Sequence, residues 1–273
     1  MKQGFVKVAS ATPRIRVADP VYNAQVICEQ AKEAAEHGAK IVVFPELCIT
    51  GYTCNDLFLQ ELLLEKAKEA LLTIAEETGQ LETLFLVGLP VDKDGRLYNV
   101  AAVLYRGRIL GMIPKKNIPM YAEFYEGRHF TPGEETVTEY RLGKQVIPFG
   151  SNLLFRCEEL PELILGCELC EDLWVAEPPS TSHALMGATV IANLSASNET
   201  VSKDDYRTLL IKASSARLLC GYIYTSAGEG ESTQDLVFGG HDLIAENGTL
   251  LVQSARFTTG ILYTDLDLSL IHI

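Results

Sequence analysis

No run of apolar residues in this chain approaches the length of a membrane span, so no bilayer-crossing helix is expected. Positive charge is scarce. There are 23 Lys and Arg against 36 Asp and Glu, a formal net charge of -13. Nucleic-acid binders normally carry a basic face and peripheral membrane proteins a polybasic patch, so both classes are disfavoured. The first residues lack the apolar stretch of a secretory signal. Histidines are scattered, at His37, His129, His183, His241 and His272, with no close pair. Cys167 and Cys170 stand at C-x-x-C spacing without a second pair at zinc-ribbon distance, so no metal is expected. Neither the dinucleotide glycine motif nor a Walker loop occurs. Gly228-Glu229-Gly230-Glu231 is glycine-rich but acidic, and Phe238-Gly239-Gly240-His241-Asp242 reads as a hairpin turn. Linkers rich in Pro, Gly or Ser are missing too, which leaves 273 residues for one large domain or two small ones.

What is present is an alternation of strand and helix patterns. Phe5-Val6-Lys7-Val8-Ala9 reads as a strand. Asp19-Pro20 opens a helix with a capping carboxylate and a first-turn proline, and Gly38 ends it. Val21, Ala24, Cys28, Ala31 and Ala35 would form its inner face. Ile41-Val42-Val43-Phe44 is a buried strand, and residues 55–78 form a long helical pattern. Leu84-Phe85-Leu86-Val87-Gly88 is a strand. Residues 100–105 and 109–113 form a hairpin around Arg106-Gly107-Arg108. The polar and aromatic stretch 117–135 reads as an ordered loop over a site. A strand then leads to Cys170, a helix covers 179–186, and a strand 189–194. Ser202 with Asp205 resembles a capping box for a helix carrying Leu209, Leu210, Ala213, Ala216 and Leu219. Tyr222-Ile223-Tyr224 is a strand, and hairpins fill 236–265. This order argues α/β, with apolar strands covered by helices on one face and, on the other, by a second sheet.

Seven cysteines, an odd number without framework spacing, fit free thiols in a reducing cytosol. Position alone makes Cys28, Cys157, Cys170 and Cys220 core residues, since free cysteines are mostly buried. Cys170 differs in its flanks: Glu168, Glu171 and Asp172 surround it at the end of a strand. Glu46 ends another strand, where carboxylates of α/β sheets commonly face a ligand crevice. Lys115 follows Pro114 at a third strand end, and strand alternation allows only one of Lys115 and Lys116 to enter that crevice. A thiol, a carboxylate and an ammonium at strand ends point to amide or nitrile chemistry by a cysteine nucleophile, with the cation favouring the thiolate.

Phe44-Pro45-Glu46-Leu47, Pro114-Lys115 and Cys170-Glu171-Asp172-Leu173-Trp174, in this order, resemble the nitrilase superfamily with its Glu-Lys-Cys triad. The run 45–52, the segment 121–130 and residues 170–174 are similar to the glutaminase domains of glutamine-dependent NAD synthetases, and the similarity covers nearly the whole chain. The resemblance implies a four-layer α-β-β-α sandwich over 1–273. It implies Cys170 as nucleophile, Lys115 as the triad lysine, Glu46 as general base and acid, and Glu126 as an additional site carboxylate. Tyr121, Ser197 and Lys203 fall where glutamine-contacting residues lie. The last is commonly arginine, and lysine keeps the charge without the bidentate fork. No cofactor is implied for glutamine hydrolysis. ATP and deamidated NAD belong to a C-terminal synthetase domain whose Ser-Gly-Gly-x-Asp-Ser loop is absent here. The expectation is therefore the ammonia-producing half alone, cytoplasmic and homo-oligomeric. A stand-alone ω-amidase or carbamoylase, or a non-catalytic assembly module of the same fold, are the alternatives.

Overall fold

The computed structural model describes residues 4–269. The first three residues and His272 lie outside that range. In chain order the elements are β1 (Phe5–Thr12), α1 (Pro20–Glu36), β2 (Ile41–Val43), a 3-10 segment (Tyr52–Leu59) and α2 (Glu61–Glu77). Then come β3 (Leu84–Lys93), β4 (Arg96–Tyr105), β5 (Arg108–Pro114), β6 (Thr138–Leu142), β7 (Gln145–Phe149), β8 (Leu154–Arg156) and β9 (Ile164–Leu169). The remainder is α3 (Pro179–Leu185), β10 (Val190–Ser195), α4 (Lys203–Leu218), β11 (Gly221–Ser226), β12 (Leu243–Glu246), β13 (Thr249–Gln253) and β14 (Gly260–Asp267).

These strands build two sheets, one ordered β14-β1-β2-β3-β4-β5-β7-β6 and the other β13-β12-β11-β10-β9-β8. Side chains alternate across a strand, and the alternation divides the core. Ile41 and Val43 point between the sheets, with Val6, Val8, Leu86 and Val103, and meet Leu165, Leu169, Val190, Leu194 and Ile223 of the second sheet. Val42, Phe85, Val87 and Ala102 point the other way, onto Ala24, Ile27, Ala31, Ala67, Leu71 and Ile74 of α1 and α2. The outer face of the second sheet, Ile191, Tyr222 and Ala245, packs on Leu210, Ile211 and Leu218 of α4. The result is the expected four-layer α-β-β-α sandwich. Each fully buried branched side chain is worth about 1.5–3 kcal/mol, so the layer between the sheets is a major source of stability.

Several local expectations are corrected. The long helix begins at Glu61, not at 55: Asn55, at φ 50, ψ -133, lies in a 3-10 segment, and Gln60, extended at φ -88, ψ 119, separates that segment from the helix. Val21 is exposed, and the inner stripe of α1 is Ala24, Ile27, Cys28, Ala31 and Ala34. The Asp19 cap does form, accepting the Tyr22 N–H at 3.1 Å. Ser202 makes no capping bond; it takes a left-handed conformation, φ 65. Leu209 of α4 faces solvent, and the buried positions are Arg207, Ile211, Ser214 and Ser215. β3 and β4 form one long hairpin turning at Asp94-Gly95, both at positive φ. Residues 238–242 are not a hairpin turn. β14 leaves the late hairpin β12–β13 and pairs with β1 in the other sheet. Cys157 is only partly buried, and all seven cysteines are free.

Candidate active site

Three of the sequence-predicted residues sit at neighbouring strand ends. After β2, Phe44 continues inward and Pro45, with no N–H to donate, ends the strand. The chain turns at Leu47, φ 51. That turn lies flush on β3 at Gly88, where a Cβ would stand 2.2 Å from the Leu47 nitrogen, so only glycine permits the approach. Glu46 is thereby driven into the interior with no exposed surface. β5 ends at Pro114, and the Lys115 N–H bonds the Asn99 carbonyl at 2.8 Å, which turns its side chain inward. Lys116 points to the surface and pairs with Glu135. β9 ends at Leu169, and Cys170 opens a 3-10 turn (Cys170–Leu173) at φ 41, a strained backbone for a residue with a side chain. The buried Asp172 carboxylate holds this elbow, accepting the Leu169 N–H at 3.0 Å, the Asn117 N–H at 2.8 Å and the Asn117 side-chain amide at 2.8 Å.

The polar groups converge on Lys115. Its ammonium, fully buried, donates to Glu46 Oε1 at 2.6 Å and to Glu126 Oε1 and Oε2 at 2.7 and 3.0 Å. Asn99 Nδ2 donates to the same Glu46 Oε1 at 2.7 Å. The Tyr52 hydroxyl donates to Glu126 Oε1 at 2.8 Å. Among the described residues, Glu46 Oε2 accepts no hydrogen bond. Cys170, 7% exposed, interacts electrostatically with Glu46, Lys115 and Glu126 and has a backbone hydrogen bond with Ala196.

Burial pushes the Glu46 carboxyl up to about 7, against the pull of Lys115 and Asn99. Burial also pushes the Cys170 thiol up to about 12, with Glu46 adding to the rise and Lys115 opposing it. Lys115 favours the thiolate, but it is shared by two carboxylates, and burial together with Glu46 outweighs its pull. For Lys115, burial disfavours the charge, but Glu126 and Glu46 outweigh it and hold the ammonium well above its usual range. The arrangement offers a poised carboxylate base with one free oxygen, a buried thiol, and a fixed cation. Among the described residues, no group of three or more His, Cys, Asp or Glu is gathered as a metal site.

A cleft opens on the Glu126 side, lined among others by Tyr52, Phe124, Tyr125, Glu126 and Leu236. Tyr121, 54% exposed, donates its hydroxyl to the Glu171 carboxylate at 2.9 Å. Ser197 is buried and its Oγ accepts from Arg207 at 3.2 Å. Lys203 donates to Asn198 Oδ1 and lies 5.2 Å from the centre of the Trp174 ring and 5.6 Å from that of Phe124. Burial pushes its ammonium down.

The carbon-nitrogen hydrolase family matches residues 7–272. The chain belongs to this family. It is similar to the glutamine-dependent NAD(+) synthetase of Mycobacterium tuberculosis, 43% identical over 260 residues, which are 95% of this chain and 38% of that protein. The crystal structure of a glutamine-dependent NAD(+) synthetase from Cytophaga hutchinsonii superposes with a TM-score of 0.87 at 28% identity, over 96% of this chain and 43% of that one. An amidase from Nesterenkonia sp. shares the fold, with a TM-score of 0.76 at 21% identity over 100% of this chain and 94% of that one. This carbon-nitrogen hydrolase thus spans well under half the length of the synthetases it resembles.

Sequence reasoning gave no site role to Asn99, Tyr52, Asp172 or Arg207, although Tyr52 and Asp172 lie in the motifs 45–52 and 170–174. An asparagine amid the apolar positions of β4 was a readable signal, because a buried amide needs partners. Arg207 carried none; on α4 it looks like a surface residue. It is instead fully buried and donates to Glu199 at 2.9 Å, to Ser197 and to the Asn198 carbonyl at 3.1 Å.

Proposed function

We propose that this carbon-nitrogen hydrolase cleaves the side-chain amide of glutamine through a thioester on Cys170, releasing ammonia for a synthetase domain. One observation carries the reading: Lys115 clamps Oε1 of Glu46 while the other oxygen accepts no hydrogen bond among the described residues, and the buried Cys170 thiol lies within electrostatic reach of this carboxyl. Glu46, near 7, takes the thiol proton as the sulfur attacks the carboxamide carbon, so no thiolate need exist beforehand. An ammonium has three protons. Glu46 takes one and the two Glu126 oxygens share a second, which leaves the third to meet the developing oxyanion together with a backbone N–H of the turn after Cys170. Glu46 protonates the leaving nitrogen, then deprotonates the water that hydrolyses the thioester to glutamate.

Tyr121, Ser197 and Lys203 are assigned to the amino-acid end of glutamine. Lys203 would attract the α-carboxylate from its place beside Trp174 and Phe124. The names of the relatives support glutamine as substrate and the synthetase domain as partner. The test compares hydrolysis of glutamine and of simple aliphatic amides by the wild type and Cys170→Ala. Glutamine turnover that vanishes in the variant upholds the reading. Turnover of simple amides alone would favour an ω-amidase-like specificity, and no turnover of either would favour an assembly module.

A further inference from the structure

The acidic glycine-rich run that matches no phosphate loop has a place in this molecule. Glu231 lies in the loop 228–236, outside the cluster of Glu46, Lys115, Glu126 and Cys170. Its carboxylate is directed wholly at the start of the 3-10 segment Tyr52–Leu59. Oε1 accepts the Tyr52 N–H at 2.7 Å; Oε2 accepts the Thr53 N–H at 3.0 Å and the Thr53 hydroxyl at 2.5 Å. Thr53 Oγ1 in turn accepts the Ser232 N–H at 2.9 Å. The first N–H groups of a helical segment have no partners inside it, and here a carboxylate distant in sequence supplies them. The glycines explain the reach. Gly230, φ 106, passes so close to residue 15 that a Cβ would stand 1.9 Å from the Ile15 carbonyl oxygen. The Ile15 N–H also bonds the Glu229 carbonyl at 3.1 Å, pinning the loop at that point.

Tyr52 is the residue this clamp holds, and its hydroxyl shares Glu126 Oε1 with the Lys115 ammonium. We propose that Glu231 is a positioning residue, whose carboxylate fixes the Tyr52 phenol as the donor that shares Glu126 with Lys115. The inference rests on the assignment of that cluster as the reacting site. Without the phenol, Glu126 has only Lys115 to satisfy it and draws the ammonium away from the sulfur and from the oxyanion position. Glu231 acts on the cation through two intervening residues, Tyr52 and Glu126, and touches no reacting atom.

The test is a double-mutant cycle on the full chain with Tyr52→Phe, Glu231→Gln and the pair, read as kcat for glutamine beside thermal melting. In Glu231→Gln an amide –NH2 confronts at least one backbone donor, so the clamp fails with little change in volume. Each single variant is expected to lose roughly tenfold to a hundredfold in kcat, the scale of a small misplacement in a reacting site. The pair is expected to be no slower than Tyr52→Phe alone, because the two act through one hydroxyl. Wild-type kcat in Glu231→Gln overturns the proposal. So does a Glu231→Gln factor that multiplies in full on the Tyr52→Phe background, which assigns Glu231 to the fold alone. If Glu231→Gln fails to fold, Thr53→Val, which removes the hydroxyl from the same carboxylate, replaces it in the cycle. A wild type inactive on glutamine and simple amides defeats the proposed function instead. The cycle is then read from the rate at which a neutral alkylating agent modifies Cys170, with the same non-additivity expected and full multiplication again refuting it.

Discussion

Replacing Asn99 by alanine isolates the force that keeps Glu46 a usable base. The Asn99 amide donates to the Glu46 oxygen that Lys115 also holds, at 2.7 Å and out of water. The Asn99 carbonyl that anchors the Lys115 backbone is unchanged by the substitution. A hydrogen bond to a charged group is worth about 1.5–3 kcal/mol, and about 1.4 kcal/mol corresponds to one pKa unit. Losing this one destabilises the ionised carboxyl and raises Glu46 from about 7 by roughly one to two units. At pH ~7.5 the ionised fraction then falls from about three quarters to between about a quarter and about one thirtieth. The assay is the pH profile of kcat/KM for glutamine between about pH 5.5 and 9.5, whose acidic limb reports the base of the free enzyme. The limb of the wild type is expected near 7, and that of Asn99→Ala one to two units higher with much of the alkaline plateau retained. A limb that stays in place, or a loss equal at every pH, would refute the assignment of Glu46 as the titrating base and of Asn99 as its tuner.

Lys115→Met should lower kcat/KM by at least about a thousandfold and destabilise the fold by about 3–5 kcal/mol, since two buried carboxylates lose their shared cation; kinetics and denaturant unfolding check both. Asp172→Ala should cost about 2–4 kcal/mol of stability by freeing the Leu169 and Asn117 donors, and should loosen the Cys170 elbow, visible as faster hydrogen exchange at residues 117 and 169–173. Lys203→Met should raise KM for glutamine with kcat nearly kept and leave simple amides untouched; an equal loss for both substrates would remove Lys203 from the α-carboxylate. Glu46, Asp172 and Asp242 all have carboxyls raised by burial, to about 7, 6 and 7. Between the unfolded and folded values the native state binds more protons, so these groups favour folding below that window and lose the contribution as pH rises through it. Melting temperature is accordingly expected to be higher near pH 6 than near pH 8, and the reverse order would contradict the assignment.

Much of this was legible before any coordinates. Glu46, Lys115 and Cys170 each follow an apolar run, and a strand apolar on both faces, as Ile41-Val42-Val43 is, needs cover on both; the family resemblance supplied the second sheet. Alternation admitted only one of Lys115 and Lys116, and the family resemblance picked Lys115. What was not legible is long-range. Nothing local says that β14 joins β1, or that a carboxylate at 231 closes the helix start at 52. Asn55 in its 3-10 segment and the extended Gln60 interrupt a helical pattern whose spacing was otherwise sound. Arg207 looks like any helix-surface arginine until Glu199, Ser197 and the Asn198 carbonyl are folded around it. Lys115 does pull Cys170 towards the thiolate, but burial first and then Glu46 outweigh it, and that burial is set by the whole fold rather than by the local sequence.

The most direct measurement is acid-quenched mass spectrometry of the chain during glutamine turnover, with peptide mapping and ammonia release followed in parallel. The account predicts a glutamyl adduct on the peptide that contains Cys170, formed in the wild type and missing, together with ammonia, in Cys170→Ala. Ammonia released at an undiminished rate by Cys170→Ala, or an adduct on any other side chain, would contradict it.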